Sequence, residues 1–264
     1  MPSETCTYDV INDGTFSLDP GAAFGTTPRN IWSREFQLND NYRISLNSNI
    51  CVIREGDKNY MVDSGIGGSP GKYLEKWFEA SPNGNLKNYM QKNGIKKFDA
   101  IFHTHLHFDH MGHSFTDLAG SRSYAHHLEV DNFRKPEDFA AASYTYSTTG
   151  PDISNLTPVF SDMEIGNFQL IHTGGHTTGH MAIIFQCGNL KLMFPGDLMP
   201  TTFHIKPTRI TAIDSEPLKT MSSKKTLIKK AIREHFVLIL SHDQKDQAIS
   251  IGGDPDNPEI QNIP

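Results

Sequence analysis

Cysteine is scarce in this chain. Cys6, Cys51 and Cys187 are widely spaced, so they announce no disulfide framework, and that pattern fits a reducing compartment. Positive charge is not in surplus either: 24 basic against 30 acidic residues leave a net charge of −6. A broad polyanion-binding surface is therefore not expected, and neither is a nucleic-acid partner. Lys224, Lys225, Lys229 and Lys230 cluster, but on a helical pattern they read as a solvated face. Apolar runs of about 18 residues are missing, which argues against a transmembrane helix and a membrane partner. Met1 to Asp13 is polar and has neither the basic start nor the apolar centre of a signal peptide. Cytoplasmic residence is the resulting expectation. At 264 residues the chain can bury a substantial core, and a single domain spanning 1–264 is expected.

Histidine, by contrast, is plentiful and concentrated. His103-Thr104-His105-Leu106-His107-Phe108-Asp109-His110 places His105, His107, Asp109 and His110 within six consecutive residues. Imidazole and carboxylate donors suit zinc and its neighbours. In an extended segment residues two apart face the same side, so His105 and His107 can grip one cation together. Asp109 and His110 follow where the chain should turn into a helix, and they can reach a second point nearby. Two adjacent metals are the natural reading.

Further donors stand just past the C-terminal ends of other strand-like runs. His176 and His180 follow Phe168 to Ile171, Asp197 follows Leu190 to Phe194, and His242 follows Val237 to Leu240. Glycines beside His176 and Asp197 allow sharp turns and close approach. Loops on one sheet edge can converge such ligands on a common point.

The combination resembles the metallo-β-lactamase superfamily. The matching elements are H-x-H-x-D-H at His105 to His110, G-H-T-x-G-H at Gly175 to His180, Gly196-Asp197, the late His242, and the earlier Val62-Asp63-Ser64-Gly65. The resemblance implies one metal on His105, His107 and His176, a second on Asp109, His110 and His242, and Asp197 bridging the two. Two zinc ions are the implied cofactor, and manganese, iron or cobalt would suit the same donors. Asp63 is implied to organise the loops beneath the metals, and Ser64 is a turn residue. No cysteine stands at the late metal position that some β-lactam-hydrolysing members use. His107, where diiron flavoproteins of the superfamily tend to carry glutamate, argues against a redox diiron site.

The other histidines read as structural. His103 belongs to the core or supports a ligand, His180 supports the loop around His176, and His172 faces the far side of its strand. His113, His126, His127 and His235 default to the surface or to satisfied core positions.

The expected organisation is an N-terminal loop-rich arm over 1–42 with one short strand, followed by strands at Tyr42 to Arg54 and Asn59 to Asp63. Helices are expected at Tyr73 to Phe78, Leu86 to Lys92, His110 to Leu118, His127 to Arg134 and Pro217 to Arg233. Further strands are expected at Phe98 to Phe102, Ser123 to Ala125, Pro158 to Phe160, Phe168 to Ile171, Met181 to Cys187, Leu190 to Phe194 and Phe236 to Leu240. The stretches 140–156 and 199–214 read as irregular segments near the site, and 252–264 as an extended tail. This order suggests an α/β fold of two halves, the four-layer αββα sandwich of the superfamily.

Phe24 to Trp32, Asp63 to Gly67 and Gly196 to Ile205 also resemble the quorum-quenching lactonase and organophosphate-hydrolase-like branch. That implies a dinuclear hydrolase in which a bridging hydroxide attacks a small lactone or related ester, with phosphotriester cleavage as a side activity. Such an arm packs at a subunit interface in this branch, which implies a homodimer. Asp109 is the expected catalytic residue, passing a proton to the leaving oxygen. Phe24, Trp32, Phe108, Tyr144, Tyr146, Phe203 and His204 are candidate pocket residues. Two departures are visible: Met199, Pro200 and Thr201 stand where the best-known lactonases place a substrate-orienting tyrosine, and Arg209 stands in the insertion where related sequences often look aromatic. The alternatives are a mononuclear-iron persulfide dioxygenase-type oxidoreductase, which needs only the first ligand set, and a glyoxalase II-type thioesterase, for which no separate C-terminal helical domain is evident.

Overall fold

Strands as apolar as Met181–Cys187 and Val237–Ile239 need cover on both faces, and the architecture provides it. The computed structural model describes residues 6–149, 153–261 and 263, with the side chains of 146–149 not included. The first half comprises β1 (Cys6–Leu18), α1 (Pro20–Phe24), α2 (Arg29–Trp32), β2 (Ile44–Glu55), β3 (Lys58–Val62), α3 (Lys72–Trp77), β4 (Ser81–Pro82) and α4 (Asn85–Asn93). It continues through β5 (Ala100–Phe102), α5 (Phe108–Met111), β6 (Ser123–His126), α6 (His127–Arg134), a 3-10 segment at Ala141–Thr149, and β7 (Leu156–Val159). The second half holds β8 (Met163–Ile165), β9 (Phe168–His172), β10 (Met181–Cys187), β11 (Leu190–Phe194), α7 (Pro217–Glu234), β12 (Val237–Ile239), β13 (Ala248–Asp254) and β14 (Asn257–Gln261).

Each half makes one mixed sheet. The strand orders are β4-β1-β2-β3-β5-β6-β7 and β14-β13-β12-β11-β10-β9-β8. Val62, Phe102, Phe168, Met181, Phe194 and Ile239 meet between the sheets and form the central core. Leu227, Ile228 and Ala231 of α7 cover the outer face of the second sheet, against Met193 and Leu238. Leu86 of α4 packs with Ile50, Met61 and Ile101 on the outer face of the first. The layers are therefore αββα, as expected. The ends of β3 and β5, which run parallel, and of β11 and β12, also parallel, carry Asp63, the 103–110 run, Asp197 and His242.

Several expectations need correction. Residues 1–42 contain a 13-residue strand rather than a short one: β1 pairs with β2 along nearly its whole length. Its register shifts between Asn12 and Thr15, and this irregularity breaks the alternation that would have marked it. The expected tail is a hairpin, β13 with β14, turning at Pro255 and Asp256. Pro258 is tolerated there because β14 is an edge strand. The helix expected at His110 to Leu118 is one turn, Phe108–Met111, followed by irregular turns.

Lys224 does not lie on a solvated face. It shares the inward side of α7 with Leu227 and Ile228, and its ammonium donates to the Arg209 carbonyl at 2.6 Å. Burial lowers its pKa to about 7. Lys225 and Lys229 are exposed.

The cysteines are likewise corrected. Cys6 at the start of β1 and Cys187 at the end of β10 form a disulfide across 181 residues of sequence, tying one sheet to the other. Spacing along the chain could not reveal it, because only the stacking of the sheets brings the two ends together. Cys51 is a buried free thiol whose pKa is raised by burial. Closing so long a loop restricts the unfolded chain, so Cys6→Ser should lower the unfolding free energy by about 2–5 kcal/mol. Urea denaturation with and without reductant checks this: reductant should destabilise the wild type to the level of the variant and leave the variant unmoved.

Candidate metal centre

β5 ends at Phe102, and the chain runs on through His103 to His107 outside any strand, bending at Thr104 and His107, before α5 begins. The side chains of His105 and His107 converge, with Nε2 of the first 3.1 Å from Nδ1 of the second. The loop after β9 brings in His176, whose Nε2 lies 3.2 Å from His107 Nδ1. Three imidazole nitrogens thus face one point, and all three residues are buried. Tetrahedral ligands about 2.0–2.1 Å from a zinc ion would stand roughly 3.3 Å apart, so the spacing fits a cation of that size. His107 Nε2, on the other side of its ring, is buried without a hydrogen-bond partner.

A second group adjoins the first. His110 Nε2 and His242 Nε2 are 3.2 Å apart. Asp109 Oδ2 stands 3.7 Å from His110 Nε2 and 3.4 Å from His242 Nε2. Asp197 faces both groups. Its Oδ1 is 3.3 Å from His110 and 3.0 Å from His242, while its Oδ2 is 3.5 Å from His176 and 4.0 Å from His105. All seven residues named from the sequence therefore meet in one place, as a group of three and a group of four.

The outward nitrogens of His105, His110, His176 and His242 are held by polar partners, as oriented ligands require. Asp63 accepts from His110 Nδ1 at 2.7 Å, and also from the Thr104 backbone and hydroxyl at 2.7 and 2.8 Å. The Thr104 oxygen in turn lies 3.0 Å from His105 Nδ1. The Asn47 carbonyl accepts from His242 Nδ1 at 2.8 Å, and Asp214 accepts from His176 Nδ1 at 2.8 Å. Asn47 and Asp214 carry no motif signal. Asp214 lies within an irregular stretch, and Asn47 acts through its backbone, so neither was visible in the sequence.

His180 bonds Thr173 at 2.7 Å and accepts from the Asp197 backbone N–H at 3.2 Å. It therefore supports Asp197 as well as its own loop. Gly196 has φ of 54°, and a Cβ there would lie 2.5 Å from His180 Nε2, so glycine is needed on both counts. His103 is buried behind the site against Phe115, and burial pushes its pKa down to about 4. His113 is buried between Asp13 and Asp117, 3.0 Å from each. His126 is stacked on His172.

Electrostatics sort the cluster. Burial and the neighbouring imidazoles hold His105 and His107 well below the usual histidine range, so both stay neutral with free lone pairs. Burial would also lower His110, but Asp197, Asp109 and Asp63 outweigh it and raise its pKa well above the usual range. Burial pushes the Asp109 carboxyl up, against the pull of His110 and His242. Asp197 goes the other way: His242 and His110 outweigh burial and keep it ionised. A dense set of imidazoles and carboxylates crowded out of water fits a divalent cation, whose charge would balance the carboxylates in place of the protons that Asp197, Asp109 and Asp63 draw onto His110.

The adjoining pocket is walled by Phe16, Phe24, Leu46, Phe78, Phe108 and Ile213. Ser143, from the 140–156 stretch, and Thr201, His204 and Thr211, from 199–214, complete it. Of the candidate pocket residues, Phe24, Phe108 and His204 line this space. Trp32 stacks behind Phe24, with ring centroids 5.1 Å apart. Phe203 packs on Phe24 and carries Arg209 over its ring at 4.0 Å. Tyr144 turns away to bond Glu129. The Tyr146 side chain lies outside the described residues.

The family described as the metallo-beta-lactamase superfamily matches residues 44–242, three quarters of the chain. The chain belongs to the metallo-β-lactamase superfamily. A "probable metallo-hydrolase" of Methanocaldococcus jannaschii is 25% identical over 149 residues, 55% of this chain and 65% of the relative. The chain thus spans less than two thirds of the length of that curated relative. A solved structure of a "probable metal-dependent hydrolase" from Staphylococcus aureus is 25% identical with a TM-score of 0.88, covering 100% of this chain and 99% of the other. A dizinc quorum-quenching lactonase bound to its product shares the fold at a TM-score of 0.78 and 16% identity, over 99% of this chain and 96% of that one. The family and the staphylococcal likeness support a metal-dependent hydrolase, and the family and the histidine–aspartate cluster together suggest a divalent metal site.

Proposed function

We propose that this superfamily member is a dinuclear hydrolase of small lactones or related esters, with zinc as the cation. The observation that carries the reading is the division of seven buried donors into two groups that share Asp197. His105, His107 and His176 would hold one cation; Asp109, His110 and His242 the other. Cations bound there would supply Lewis acidity and make hydroxide available near neutral pH.

The chain's own residues supply the rest. Asp63, Thr104, Asn47 and Asp214 fix the ring orientations, so the donors need no rearrangement when the site loads. The phenylalanine walls keep water away from a bound ester and favour an apolar substituent on it. Ser143, Thr201 and Thr211 offer hydroxyls at the pocket wall to a polar head. No lysine or arginine is among the described residues lining this pocket, which favours an uncharged ester over a phosphodiester or a polyanionic thioester. The fold likeness to product-bound lactonases supports the same substrate class.

The test pairs elemental analysis with turnover of a panel of lactones, aryl esters and a phosphotriester. About two zinc per chain with lactone turnover is expected. One iron per chain with inert lactones would overturn the reading and favour the oxygen-dependent alternative.

A further inference from the structure

Glu129 belongs to none of the histidine motifs. It lies in the first turn of α6 and is fully buried, with no cation within ion-pairing distance of its carboxylate among the described residues. Four neutral donors surround it. Oε1 accepts from the Leu106 backbone at 3.0 Å and the Tyr144 hydroxyl at 2.6 Å. Oε2 accepts from the Thr177 hydroxyl at 2.6 Å and, more weakly, Asn132 at 3.4 Å.

Three of the donors come from three separate segments beside the same ligand group, and the fourth, Asn132, lies on α6 itself. Leu106 stands between His105 and His107. Thr177 follows His176 directly. The Tyr144 ring packs edge-on to His107, with centroids 4.7 Å apart. Gly179 closes the third side: a Cβ there would come within 2.3 Å of the Glu129 backbone nitrogen, so the 177–180 turn is seated directly on α6. A buried carboxylate is costly unless its lone pairs are used, and here two of the donors that use them, Leu106 and Thr177, lie on the loops carrying the three histidines, while a third, Tyr144, packs on His107.

We propose that Glu129 is a positioning residue that clamps the segments bearing His105, His107 and His176, setting the affinity of that group for its cation while touching none of the three. The second group hangs on other supports, Asp63 and Asn47. Its cation affinity should be insensitive to Glu129. The inference rests on the two-site reading above.

Glu129→Gln keeps the shape but supplies two donors where only acceptors are wanted. Stepwise zinc affinities, measured by competition with a chelating indicator, should show one equivalent weakened about 10–100-fold and the other changed by less than about threefold. Asp13→Asn is the control. Asp13 is another buried carboxylate, bonded to His113 and to the Ile66 and Gly67 backbones away from both groups. It should lower the melting temperature and leave both affinities in place. Both equivalents weakened alike by Glu129→Gln, or neither, would overturn the proposal. Should that variant fail to fold, Thr177→Val and Tyr144→Phe each remove one donor and should weaken the same single equivalent; unchanged affinities in both would also overturn it. If the wild type takes up only one equivalent, the dinuclear reading falls. Positioning by Glu129 then stands or falls on whether that equivalent weakens in Glu129→Gln but not in Asp13→Asn.

Discussion

Asp197→Asn should reduce turnover by at least about a hundredfold, the upper end of what losing a mere supporting partner of a ligand costs. The reason is its place between the two groups. One carboxylate oxygen stands 3.3 and 3.0 Å from His110 and His242, while the other reaches His176 at 3.5 Å. An asparagine of the same size would present one oxygen and one NH2, and the NH2 cannot ligate a cation. It would also remove the charge that the imidazoles of His242 and His110 hold ionised. The change should therefore appear first as lost metal: elemental analysis should find the variant short of at least one equivalent while circular dichroism shows it folded. Ser241, which donates to Asp197 Oδ1 at 2.9 Å, can still bond the amide oxygen, so gross unfolding is not expected. Full metal content with full turnover would remove Asp197 from the centre altogether.

Much of this centre was legible in the sequence because its signal is local. His105 to His110 occupy six consecutive positions between the end of β5 and the one-turn helix α5, so their donors fall close together. Asp197, His176 and His242 each follow an apolar strand whose type and ends were readable. The supports were harder to see for an equally physical reason. Asn47 acts through a carbonyl that any residue has, Asp214 lies in an aperiodic stretch, and Glu129 sits in an ordinary amphipathic helix. Only tertiary folding gives these three a role. The fold shows the same division. Met181–Cys187 and Leu190–Phe194 match expectation residue for residue, because largely buried strands carry nearly continuous apolar runs. β1 escaped because an irregularity at Asn12 to Thr15 spoils its alternation, and the terminal hairpin because Gly252, Gly253 and Pro258 mimic a tail. Lys224 and the Cys6–Cys187 disulfide escaped because each is defined by what lies across a layer.

Asp109 and Asp197 belong to the same group of four, and the proposed chemistry gives them different duties, which the corresponding substitutions should separate. Asp109 lines the pocket beside Phe108 and is 3.4 Å or more from both imidazole nitrogens of its group. Its backbone carbonyl is tied down by the Ser48 hydroxyl at 2.8 Å, so its side chain moves on a fixed stem. A carboxyl at the pocket wall can take the proton released when an ester is attacked and hand it to the departing alkoxide oxygen. Asp109→Asn has no such proton to exchange, and kcat should fall by about a hundredfold or more, the usual scale of general acid–base catalysis. Metal content should fall far less, since His110, His242 and Asp197 keep their places. The loss should also depend on the leaving group. An aryl ester expels a weakly basic phenolate that needs little protonation, whereas a lactone expels a strongly basic alkoxide, so the variant should retain more of its aryl-ester turnover than of its lactone turnover. Metal and turnover lost in equal proportion, with the same factor for both substrates, would reduce Asp109 to a ligand and remove the proton transfer from the mechanism.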